Sequence, residues 1–176
     1  MDFGCRHGIN DCRAVYLGIY PAEQKISMSY IRRSKIMDLQ NEKCVMVIDE
    51  QLPLGLIANT AAIMGITLGK KMPEVVGGDV YDQTGREHLG IIEFPVPILK
   101  GDAGCIKEMR ERLYEPEYEG LTVVDFSDLA QGCKTYDEFI GKMGMTSGSE
   151  LNYYGIAVCG EKKKVNKLTG SMGLLR

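Results

Sequence analysis

Apolar and polar positions are spread unevenly along the chain, and the most informative stretch starts at Lys43. Cys44-Val-Met-Val-Ile48 is an unbroken apolar run, short enough for a strand buried on both faces. Residues 49–53 (Asp-Glu-Gln-Leu-Pro) then turn the chain, and Leu54 to Leu68 is almost wholly apolar or small. A run of that length predicts a helix over about Leu54–Lys70, and the breadth of its apolar surface predicts burial on most sides. Ala58, Ala61, Ala62 and Gly65 would let its backbone lie close to a sheet, while Ile57, Met64 and Leu68 fill volume around them. Lys70 and Lys71 fall where a helix C-terminus favours positive charge.

Beyond the helix the period changes. Val75–Tyr81 and Glu87–Phe94 are β-rich and flank Asp82-Gln-Thr-Gly85, a hairpin signal. Pro95 and Pro97 break the ladder, so Ile98–Leu99 reads as an edge or a fresh strand. Asp102 is placed to cap a helix over Ala103–Leu113, with Ile106, Met109 and Leu113 on one face and a Glu108–Arg112 pair on the other. Leu121–Phe126 is a second buried strand, and Thr135-x-x-Glu138 opens a short helix carrying Phe139, Ile140 and Met143. Tyr153–Cys159 is a further strand, and Glu161–Leu168 a last helical turn or two before Gly170. This alternation predicts an α/β fold: three α/β/α layers, a mixed sheet of about four strands, and an inserted hairpin.

Residues 1–41 differ. They mix glycine and proline with charges and hold no clean period, so they read as a poorly ordered N-terminal extension ahead of a domain spanning residues 42–176. Met28 and Met37 offer later starting points. An ordered arm or a partner-binding segment is the alternative.

Composition narrows the function classes. A chain of 176 residues suits one domain with a real core. The net charge of −3 divides into +1 over residues 1–42 and −4 over residues 43–176, which argues against general nucleic-acid binding. No apolar run suffices to cross a bilayer and no secretory leader is evident, so a cytoplasmic address is expected. The six cysteines include no C-x-x-C pair; Cys44, Cys105 and Cys159 read as small core thiols of a reducing compartment. With only His7 and His88 beside them, no metal site is expected, and no cofactor motif is present. Gly77-Gly78 lacks the spacing and strand-to-helix context of a phosphate-binding loop.

The two ends of the domain carry a family resemblance. Lys43-Cys-Val-Met-Val-Ile48, then Leu52-x-Leu54-Gly55 and Ile57-Ala58, is similar to the opening strand and helix of type II peptidyl-tRNA hydrolases. Gly155-Ile-Ala-Val-Cys-Gly160, with Val165-Asn-Lys-Leu-Thr-Gly170, is similar to their closing strand and C-terminal helix, and Val123-Val124-Asp125 to their strand ending in aspartate. The middle, with Gly77-Gly78-Asp79, Asp82-x-x-Gly85-x-x-His88-x-Gly90 and Pro95-Val-Pro97, resembles the allied family called domain of unknown function 2000. The resemblance implies the hydrolase-II fold, with Lys43 and Asp125 as the matching polar positions. It also aligns Thr60 and Ile63 with the hydrolases' glutamine and histidine, and Asp49 with their arginine, while the lysine-rich loop is shortened to Leu54-Gly55-Leu56. A domain that binds a small ligand or a protein, without hydrolase activity, is therefore expected. A divergent hydrolase of peptidyl-tRNA or a related ester or amide, using Asp125, Lys43 and His88 around water, is the alternative.

Asn59 and Thr60 are polar residues in an apolar helix near the end of the first strand, where α/β sheets gather ligands. With Asp49, Glu50 and Asp125 they could line a small polar pocket; otherwise they satisfy neighbouring backbone groups. His88, near Asp82 and Glu87, is a candidate general base or else a surface histidine. Lys162, Lys163, Lys164 and Lys167 read as a solvated face, as do Glu115, Glu117 and Glu119. The broad apolar surface also admits a homodimer.

Overall fold

The apolar run after Lys43 becomes the middle of a sheet. In the computed structural model, which describes residue 38 and residues 40–176, β1 (Glu42–Asp49) lies between two other strands. On one side it pairs in parallel with β4 (Ile98–Gly101), on the other antiparallel with β6 (Tyr153–Glu161). β5 (Thr122–Ser127) pairs antiparallel with β6, giving the order β4-β1-β6-β5. The sheet is mixed, and the parallel β1–β4 step needs the long crossover that α1 (Leu54–Lys71) begins.

Successive side chains of β1 point to opposite faces. Val45 and Val47 enter one core with Ile106 and Met109 of α2 (Ala103–Arg112) and Val165 and Leu168 of α5 (Lys162–Thr169). Cys44, Met46 and Ile48 enter the other, against Met64 and Leu68 of α1. Helices therefore cover both faces. α3 (Asp128–Gln131) and α4 (Tyr136–Met143) follow β5.

α1 starts and ends where expected, but it is not buried on most sides. Thr60, Met64 and Leu68 are its buried residues, while Leu54 and Ile66 are exposed. Among the described residues no layer lies above the helix, so full burial is confined to its sheet-facing side.

The hairpin is shorter than its β-rich flanks suggest. β2 (Val80–Tyr81) and β3 (Glu87–His88) hold two residues each, with an isolated bridge from Val76 to Ile92. The chain before β2 is spent on a 3₁₀ turn at Pro73–Val75 and on a close backbone crossing, where a side chain at Gly90 would collide with Gly77. The turn itself follows its sequence: Asp82 Oδ1 accepts from the backbone N–H groups of Thr84 and Arg86, and Gly85 adopts φ +82°.

The caps form as the sequence implies, with Asp102 accepting from Cys105 N and Thr135 from Glu138 N. Glu108 and Arg112 do not pair; Arg112 donates instead to the Tyr118 hydroxyl at 2.8 Å. β6 runs on through Glu161, and two lysines of the solvated α5 face take surface partners, Lys164 donating to the carbonyl of Glu119 and Lys167 to the Glu117 carboxylate. Cys44 and Cys159 are corrected as well. They face each other directly across β1 and β6 at a Cα separation of 4.1 Å and form a disulfide, whereas Cys105 stays a half-buried thiol whose pKa burial pushes up. The extension expected over residues 1–41, with Cys5, His7 and Cys12, lies outside the described residues except for 38, 40 and 41. Among the described residues no helix is long and apolar enough to cross a membrane.

The approach of α1 to β6 sets a testable limit. A Cβ built on Gly155 would sit 2.7 Å from Thr60 Cγ2, 3.0 Å from Met64 Cε and 3.1 Å from Val47 O. Gly155→Ala is predicted to destabilise the fold by about 1–3 kcal/mol in urea titration, and Thr60→Ser in the same chain to recover part of the loss.

Candidate functional site

Asp125 occupies an apolar strand, so its carboxylate needs a partner. β5 turns it to the α2 side, where Arg110 Nε donates to its Oδ2 at 2.7 Å, with the two side chains only 17% and 26% exposed. Arg110 also lies over the Tyr114 ring, 4.1 Å from its centroid. The Tyr153 phenol beside them is pushed above its ordinary value, first by burial and then by the Asp125 charge, with Arg110 opposing. Arg110 and Tyr153 were not among the sequence candidates. The signal for Arg110 was present: it directly follows Met109 on the buried side of α2, within reach of an aspartate that could not stay alone.

The other hydrolase-like positions lie apart. Lys43 shares the sheet face of Asp125, but it aligns with Gly160 while Asp125 aligns with Ile156. Four residues of strand, roughly 13 Å, separate those levels, and Lys43 Nζ donates to Asn166 Oδ1 instead. His88 sits on the hairpin, its Nε2 3.6 Å from Asp82 Oδ2 and its side chain 58% exposed, while Glu87 accepts from the Tyr81 hydroxyl. Asp82 is held below the usual carboxylate range first by the Thr84 hydroxyl, with the Arg86 N–H and His88 adding to this. Each of the three candidates thus has a different partner.

The expected polar pocket does not assemble either. Asp49 is buried at the end of β1 and accepts from Gln51 N, Asn59 donates to Gln131 Oε1 on α3, and Asp125 points to the opposite sheet face from Thr60. Thr60 is fully buried against Gly155, and its hydroxyl has no hydrogen-bond partner, contrary to the expectation that it satisfies a backbone group. The helix presents that position to the sheet, directly against Gly155 of β6.

The structure offers a different concavity. The outer edge of β4 is covered by the C-terminal segment, through Lys100 N to Gly173 O and Leu175 N to Ile98 O. The outer edge of β5 pairs with no strand among the described residues. Along it runs a cleft of about 450 Å³, floored by Val124 and Phe126, walled by Ile63 and Thr67 of α1, and closed by Ala130, Tyr136 and Phe139 of α3 and α4. Lys134, Thr135 and Cys133 give it a polar rim, and Asp125, between Val124 and Phe126 on β5, also borders it although its carboxylate is held by Arg110. It lies toward the carboxyl end of β5, and an apolar, aromatic lining with few polar groups is the usual make-up of a small-molecule site. A smaller cleft of about 260 Å³, by Glu42, Lys71 and Glu74, lies at the other end of the sheet and is mostly polar. Among the described residues no group of three or more His, Cys, Asp or Glu side chains is gathered to hold a metal ion.

Residues 42–176 match the family described as protein of unknown function DUF2000. The chain belongs to that family. Among solved structures, a protein of unknown function from Agrobacterium tumefaciens strain C58, Atu0240, is similar: TM-score 0.69, 16% identity, covering 76% of this chain and 97% of that one. At that identity the likeness establishes a shared fold and nothing finer. No curated protein matches the sequence. The DUF2000 half of the resemblance is thus supported; the peptidyl-tRNA hydrolase half finds no support in these comparisons.

Two outcomes follow from the buried polar groups. Thr60→Val keeps the shape and removes an unpaired hydroxyl, so denaturant midpoints should show a gain of about 1–2 kcal/mol. Tyr153 keeps its proton to higher pH when folded than when unfolded, so its contribution is fully present below about pH 10 and is lost as pH rises through the raised value. Tyr153→Phe should flatten the alkaline decline in stability, measured by urea titration at successive pH values.

Proposed function

We propose that this domain binds a small, largely apolar organic molecule in the β5-edge cleft and does not cleave peptidyl-tRNA. The observation that carries the reading is the cleft itself. It is the larger of the two concavities compared above, and its apolar floor with the rings of Phe126, Tyr136 and Phe139 suits a flat or branched apolar ligand. The hydroxyl of Thr135, the thiol of Cys133 and the ammonium of Lys134 are available to orient a polar end.

The divergent-hydrolase reading has less to support it. Ester cleavage requires an activated water or nucleophile within hydrogen-bond reach of its base. Asp125 is already occupied by Arg110, Lys43 by Asn166, and His88 stands with Asp82 on the hairpin. The acidic domain charge also disfavours a grip on tRNA. A cytoplasmic setting belongs to the same proposal, and in that compartment the Cys44–Cys159 bond would be held reduced.

Native mass spectrometry of protein purified without denaturation should reveal a retained small molecule, and Tyr136→Ala should release it or weaken it at least several-fold. An apolar fluorescent dye titrated into the emptied protein should be displaced by the same molecule. Absence of both retention and dye binding would remove the ligand reading. Release of peptide from peptidyl-tRNA, lost on Asp125→Asn, would replace it with the hydrolase.

A further inference from the structure

Among the described residues nothing covers one face of α1. Leu54 is 80% exposed and Ile66 75%, and Ala58 and Ala62 between them are exposed as well. Recurring every fourth residue, the four form a single row on the helix surface, on the side away from buried Thr60. No charged residue occurs from Leu54 through Gly69. A helix face left in solvent is ordinarily polar. At Gly55 and Gly69 a Cβ would meet nothing within 4 Å, so the domain's own packing does not call for these glycines, each of which costs a helix about 1 kcal/mol against alanine.

The order of bulk along this row reads the same in both directions: large, small, small, large. Two copies laid antiparallel about the level of Thr60 set Leu54 against Ile66 and Ala58 against Ala62, twice over. An isologous twofold contact requires that self-complementarity. The same alignment brings Lys70, at the end of one helix, to the level of the turn that precedes the other, where Glu50 lies. Both are exposed; Lys70 has no acidic partner among the described residues, and Glu50 holds Lys100 only at 3.8 Å. Opposite charges at the two ends favour the antiparallel arrangement over the parallel one.

We infer that the outer face of α1 is the contact between two copies of this chain. The helix of 18 residues is about 27 Å long. One helix pair of that length belongs at the low end of interface sizes, below roughly 1,200 Å², so the dimer forms and dissociates with concentration. The inference is independent of the ligand cleft, to which α1 contributes Ile63 and Thr67 from its flank.

Sedimentation equilibrium of the full chain over a concentration series tests it. The weight-average mass should climb from 19.5 kDa toward twice that value. Ala62→Glu should hold it at the monomer mass with circular dichroism and melting temperature unchanged, and Leu54→Gln provides a second reading should the first variant fold poorly. Glu50→Lys and Lys70→Glu should each weaken association several-fold, and the two together in one chain should restore it. A wild-type mass that stays at the monomer, an Ala62→Glu protein that still dimerises, or a double swap that recovers nothing would each overturn the arrangement.

Discussion

The fold depends on the ladder between β1 and β6. Seven residue pairs, from Glu42–Glu161 to Ile48–Gly155, lock these strands antiparallel at the centre of the sheet. Because both neighbours of β1 are strands, its side chains can leave only upward or downward, and each direction must meet a helix layer. Val45 and Val47 on one side, and Met46 and Ile48 on the other, are each 6% exposed or less, so the sheet cannot shed either layer without opening a core. Register is fixed equally firmly, since a one-residue slip would exchange the contents of the two cores.

That constraint explains what was legible in the sequence. An apolar strand followed by a long apolar helix, two helices capped by Asp102 and Thr135, and a turn with Asp82 and Gly85 each follow local rules, and those elements stand within a residue or two of where the pattern puts them. What escaped was set by tertiary contact. Nothing local says that α1 would be covered on one side only, or that Arg112 would choose Tyr118 over Glu108. The pairing of Cys44 with Cys159 depends on register between segments 115 residues apart. The site was legible least of all. Lys43 and Asp125 were paired by resemblance and His88 joined to them for its imidazole, and strand register and hairpin position separate the three. The cleft lining comes from α1, β5, α3 and α4, whose proximity no spacing in the chain expresses.

The chemistry is arranged accordingly. Among the described residues the most buried ion pair, Arg110 with Asp125, closes on itself between α2 and β5 and ties a helix to the least supported strand. Breaking such a pair leaves an uncompensated charge, which is why its members are better regarded as structural than as reactive. The open side of the same strand is where concavity and aromatic surface collect. β5 thus has one flank held by charge and the other available to a ligand.

The position of β6 has a consequence for how the protein is made. Its residues, 153–161, supply the antiparallel partner for β1, which emerges more than a hundred residues earlier. During translation the apolar run of β1 has no antiparallel neighbour, and β4 can offer it only a short parallel edge. The nascent chain therefore carries an unpaired, aggregation-prone segment while the hundred residues between β1 and β6 are made, and a product truncated before Tyr153 keeps only the short β1–β4 pair of the sheet.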